Sequence, residues 1–162
     1  MSVDYRRFHD GAGLAAGLAG ELGSYTPALP MLQSIILAYI TAVDAGERAS
    51  LALRPIPRPS DPIFESNAKE LGLLGTELVE SVVFVYSNIR AFRIAFEILH
   101  EQHATMTDDE FKARCLTSLT LVDRAAEKGE ATVAGLRARA AQAFRPTWPW
   151  MWGRPPAQPV SR

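Results

Sequence analysis

Residues 107–143 read TDDEFKARCLTSLTLVDRAAEKGEATVAGLRARAAQA, and the fold class follows from this stretch. Thr107 and Glu110 form the ends of a capping box. In that motif the hydroxyl accepts from one orphan amide of a starting helix, and the glutamate reaches back for another. Beyond it Phe111, Cys115, Leu119, Val122, Ala126, Gly129, Val133, Leu136, Ala140 and Ala143 recur in steps of four or three. Such a heptad-like seam predicts one long helix with a continuous apolar edge. At 1.5 Å per residue it is ~50 Å long. That length overhangs a bundle of this size unless the helix bends, with Gly129 and Gly135 as the natural bend points, or a partner covers it.

Upstream, Leu78, Val82, Tyr86, Ile89, Phe92, Phe96 and Leu99 keep the same spacing and predict a helix from about Gly75 to His103. Val79, Val83 and Val85 widen its stripe, which makes it the central helix. Arg93 and Glu97 stand at the i,i+4 spacing of a surface ion pair. A short helix is expected over Ile63–Leu71, closed by Gly72. Before it, RPIPRPSDP (residues 54–62) has four prolines that force extended or turn geometry, so it is a semi-rigid connector. A further helix is expected from Pro27 to Gly46, with Thr26 as N-cap and Leu32, Ile35, Ile36, Tyr39, Ile40 and Val43 inward. The first helix covers about Asp4–Leu22 and carries Phe8, Leu14, Leu18 and Leu22 on one side. Each of its glycines weakens it by ~1 kcal/mol relative to alanine. Close packing of Gly13, Ala16, Gly17 and Gly20 against another helix is the expected compensation.

These elements predict an all-α, antiparallel bundle of about four to five helices over residues 1–145, followed by an extended tail over 146–162. At 162 residues one core is large enough to need no disulfide or metal staple. A net charge of −1 gives no field that recruits nucleic acid, and arginines 90, 93, 137 and 139 form pairs, not a basic stripe. The lone Cys115 has no internal disulfide partner and fits a reducing compartment. No charge falls between Leu22 and Val43, but glycines, prolines and hydroxyl residues interrupt the run. Only Met31–Val43 has the apolar character that a span of about 20 residues requires, so no transmembrane helix is expected. The expected location is cytoplasmic or peripheral to a membrane.

Side chains able to carry chemistry are few. Glu97-x-x-His100 has the spacing used in di-iron bundles, but that site needs a second such motif, which the chain does not contain. His100 and His103 could share a helix face, yet zinc needs a third or fourth ligand. A polar helix end near solvent explains both more simply. Cys115 lies on the apolar seam, where a thiol is inert. Glu65, Glu70, Glu77 and Glu80 suit solvated faces and first helical turns. No enzymatic activity, cofactor, metal or small-molecule substrate is inferred.

The segment Ile63-Phe-Glu-Ser-Asn-Ala-Lys-Glu-Leu-Gly-Leu-Leu-Gly75, followed by Leu78, Val82 and Tyr86, resembles a pattern found in uncharacterised bacterial helical proteins. There an aromatic-Glu-x-Asn segment precedes Leu-Gly-x-Leu and a long helix bearing a tyrosine. The resemblance covers roughly residues 8–143 and implies a helical bundle without an assigned activity. Many such proteins look membrane-tethered through an N-terminal transmembrane segment, which is not expected in this chain.

The tail differs from the rest. After Glu130 there is no acid, and Trp148, Trp150 and Trp152 fall within five residues among prolines and arginines. Indole favours surfaces with one apolar and one wet side. The candidate interaction surface is therefore Trp148, Trp150, Met151, Trp152 and Arg154. It either packs on the protein's own bundle or oligomer, meets a partner or membrane, or stays disordered. The function expected is a non-enzymatic interaction or scaffold module, a homo-oligomer or a subunit of a larger assembly. The alternative is a peripheral membrane protein that uses the tail.

Overall fold

A computed structural model describes residues 3–55 and 59–145. Among them are five α-helices and no strand: α1 (Val3–Tyr25), α2 (Leu29–Asp44), α3 (Pro62–Ser66), α4 (Thr76–Gln102) and α5 (Asp108–Ala141). The all-α bundle with a long C-terminal helix is therefore what the chain forms.

Helices α1 and α2 were expected to be separate, with Thr26 capping the second. Instead Thr26–Ala28 is a single 3-10 turn between them, and Thr26 makes no side-chain cap. Pro27 and Pro30 supply no amide to the α-helical ladder there, so the hydrogen bonding tightens for one turn while the backbone stays helical. Helix α2 ends as the sequence predicts, at Gly46 with φ +74°. There Glu47 N donates to Ala42 O at 2.7 Å, and Gly46 N donates to Val43 O at 3.0 Å.

Two apolar clusters fix the topology. Leu14–Leu22 of α1, Val82–Ile89 of α4 and Ala125–Leu136 of α5 form one. Ile36 of α2, Phe92–Leu99 of α4 and Phe111–Val122 of α5 form the other. The chain passes from the first cluster to the second along α1–α2 and again along α4, then returns along α5. Thus α4 runs parallel to the α1–α2 pair, and α5 is antiparallel to both. The connector carries the chain back the full length of the bundle, and its α3 and 3-10 turn (Ala68–Leu74) pack on α1.

This arrangement answers the overhang expected of α5. Its C-terminal half lies against α1 and its N-terminal half against α2, so the paired helices cover it end to end. It runs unbroken through Gly129 and Gly135. The seam keeps Phe111, Cys115, Val122, Val133 and Leu136 buried and Leu119 and Ala140 partly buried against the clusters, and Ser118 and Ala125 are buried beside it. Thr107 Oγ1 accepts from Glu110 N at 3.2 Å, which is half of the capping box. Glu110 Oε1 instead takes two hydrogen bonds from Arg114, at 2.9 and 3.0 Å. The tight glycine positions also shift. A Cβ on Gly11 would fall 2.7 Å from Leu73 O, and one on Gly17 would fall 3.1 Å from Ile63 Cγ2. At Gly13 and Gly20 it would meet open space.

Candidate functional site

Helix α2 is the least covered of the long helices. No charged residue falls between Glu21 and Asp44, yet Ile36 is its one fully buried side chain. Met31 and Leu37 are 59% and 50% exposed, with Ser34, Ala38 and Thr41 open beside them. The two hydroxyls do not make this face polar. Ser34 Oγ donates back to Pro30 O at 3.0 Å, and Thr41 Oγ1 to Leu37 O at 2.9 Å. On α5, Thr120 likewise donates to Leu116 O at 3.0 Å, and Leu116 is 47% exposed. Gln33–Asp123 and Lys112–Asp44 tie the two helices above and below this region. Leu37 and Leu116 therefore border one apolar patch across α2 and α5.

The helical run Val3–Asp44 also contains a window long and apolar enough to cross a membrane by length and composition, of which 11% is buried. The sequence had confined such character to Met31–Val43. The helical joint at Thr26–Ala28 extends it.

A polar network fastens the connector near the α1–α2 joint. Asp61, 1% exposed, accepts from Tyr25 Oη at 2.7 Å and from Arg93 Nη1 at 2.8 Å to both carboxylate oxygens. Arg90 Nε reaches Asp61 Oδ2 at 3.3 Å, and Arg90 Nη2 donates to Glu65 at 2.9 Å. Burial alone would raise the Asp61 carboxyl. The hydrogen bonds from Tyr25 and Arg93, with the Arg93 charge, outweigh it and hold the group below the ordinary carboxylate range. Glu21 accepts from the amides of Ile63 and Phe64 at 2.8 and 3.1 Å, the start of α3, and from Tyr86 Oη at 2.6 Å. Phe64 stacks on Tyr86 with centroids 4.1 Å apart. Arg93 was expected to pair with Glu97 on a wet face, but its partner is Asp61, and Glu65 is an ion-pair member as well as a surface acid.

His100 was expected near solvent and is 5% exposed. Its Nδ1 lies 2.6 Å from Arg54 O, which requires a proton on that nitrogen. Nε2 is then the acceptor for Tyr39 Oη at 3.3 Å. Burial lowers the His100 pKa, so the neutral ring is the form that fits. Across the turn, Arg48 Nη1 donates to Met106 O and to Asp108, each at 2.8 Å, and Nη2 donates to His103 O. Cys115 is fully buried, and burial pushes its thiol up to about 11. Among the described residues no group of three or more His, Cys, Asp or Glu side chains could hold a metal.

Between the two apolar clusters lies a cavity of about 320 Å³, walled by Leu29, Leu32, Ile89, Phe92, Phe96 and Val122. Tyr25, Arg93 and Glu97 also line it, and among the described lining residues Pro59 is the exposed one. The 3-10 turn explains its place. Ala28 ends the joint and Leu29 begins α2, and both line the cavity. Left empty and sealed, a void of this size would cost on the order of 8 kcal/mol. That is comparable to the whole stability of a domain, about 5–15 kcal/mol, so the space has to be shared with solvent or a guest.

The tail residues Trp148, Trp150, Met151, Trp152 and Arg154 lie outside the described residues, as does the boundary after Arg145. Set against protein-family models, curated proteins and solved structures, this chain has no match.

Proposed function

We propose that this protein is a non-enzymatic helical interaction module that self-associates through the outer face of α2 and the adjoining Leu116. The observation that carries the reading is the charge-free, half-covered α2, whose outward hydroxyls are spent on its own backbone. Contiguous exposed apolar surface is typical of protein–protein or membrane contact and is costly to leave in water. Light scattering should give a mass that is a multiple of the 17.7 kDa chain. Met31→Glu with Leu37→Glu should return it to one chain mass without loss of helical circular dichroism. A wild-type protein that stays at one chain mass over a wide concentration range would remove the reading.

A second reading, association with a membrane surface, draws on the apolar window in Val3–Asp44. Flotation with neutral and anionic vesicles tests it, because the same two glutamates should leave the protein at the bottom of the gradient. Truncation after Arg145 separates any share carried by the tryptophans.

A further inference from the structure

The cavity under the α1–α2 joint is lined mainly by large apolar side chains. Its wall is mainly leucine, isoleucine, valine, alanine and phenylalanine from α2, α4 and α5, with Glu97 the one acid among the described lining residues. The larger hollow beside α1 is edged by Arg7, Asp10, Lys69 and Glu70. At the edge of the apolar cavity, Tyr25 Oη and Arg93 Nη1 are already directed at Asp61 at 2.7 and 2.8 Å. An anionic guest would have to compete with that buried carboxylate for the same donors, and a cationic one would meet the Arg93 guanidinium at the same edge. The volume, about 320 Å³, sets the size. An engineered apolar cavity of about 150 Å³ stays dry and takes benzene, so this one suits roughly twice as many atoms. An α-helix, about 10 Å across with side chains, is too wide for it.

We propose that this cavity is a binding site for a small, neutral, apolar molecule of roughly a dozen non-hydrogen atoms, such as a fused aromatic ring pair or a medium-length aliphatic alcohol. The site stands apart from the outer face of α2, because Leu29 and Leu32 point to it while Met31 and Leu37 are exposed. It therefore stands or falls separately from the self-association reading.

The full-length protein should bind the neutral fluorophore 1-naphthylamine saturably, one per chain. Ala125→Leu and Leu32→Trp each add volume inside the cavity and should weaken that binding about tenfold or more. Leu37→Glu, on the outer face, should leave it unchanged. Thermal melts of both filling variants show whether they fold, and either one folded suffices. 1-Decanol should displace the dye and decanoate should not. Non-saturable binding, or binding lost with Leu37→Glu and kept in a folded filling variant, would overturn the site. Displacement by decanoate as effective as by decanol would overturn the neutral class and make Arg93 an anion partner.

Discussion

Helix α1 buries Gly11, Leu14, Ala15, Leu18, Ala19 and Leu22, whereas α2, by composition the more apolar helix, buries Ile36 alone. The two lie end to end against the same α5, so the difference comes from what else approaches them. The returning connector places α3 and the Ala68–Leu74 turn on α1, with Glu21 holding the first amides of α3. Beside α2 the described residues of the corresponding stretch supply the short turn Arg48–Ser50, with Leu51 and Leu53 packed against the second cluster. Hydrophobicity sets how much a helix gains by being covered. The path of the connector decides which helix is covered.

The largest effect should come from the ion-paired connector. Asp61→Ala removes the partner of the mostly buried Arg93 and should cost ~3–5 kcal/mol in a denaturant titration. A loss below about 1 kcal/mol would mean the connector is not what distinguishes the α1 half. The Asp61 pKa is held down in the folded protein, so its contribution is present at neutral pH and fades as pH falls through the folded value.

Leucine truncation compares the helices directly. Leu18→Ala, at a fully buried position, should cost ~2–5 kcal/mol. Leu37→Ala, half exposed, should stay within about 0.5 kcal/mol in the dissociated protein. Equal losses would erase the contrast.

Thr107→Ala, at the α2 end of the bundle, should cost about 1 kcal/mol because it strands the Glu110 amide. The smallest effect is a pH dependence confined to the same end. Folding lowers the His100 pKa below its ordinary value of 6.5, so the unfolded chain binds the proton more readily in the interval between the two values. Stability should fall as pH drops below 6.5, and His100→Gln should flatten that slope.

Local signals carried most of the fold. Step patterns, the capping threonine and Gly46 located α4, α5 and the end of α2, because each depends on neighbours within one or two turns. The α1–α2 joint was missed because Thr26-Pro27 reads as a helix start, while the chain behind it had no need to stop. The interior polar contacts were not legible. Tyr25, Asp61 and Arg93 lie 29 or more residues from at least one of their partners, and the His100 carbonyl acceptor is 46 residues away. No periodicity encodes such pairs. Asp61 sat among prolines, where a buried acid has no sequence signature. The half-covered state of α2 was equally hidden, since an inward stripe and an outward apolar face look alike in composition.

The turn between α4 and α5 bears on the order in which the molecule assembles. Those helices are joined by residues 103–107 and pack along much of their length. Their contacts close short loops and form with little entropic delay. Helices α1 and α2 are adjacent in sequence but make few contacts with each other, so they are expected to dock on that hairpin after it forms. Arg48, which bonds to the carbonyls of His103 and Met106 across more than fifty residues, is then a late fastening. Contacts of that kind slow unfolding without hastening folding. Arg48 thus bears chiefly on how long the native state lasts once formed.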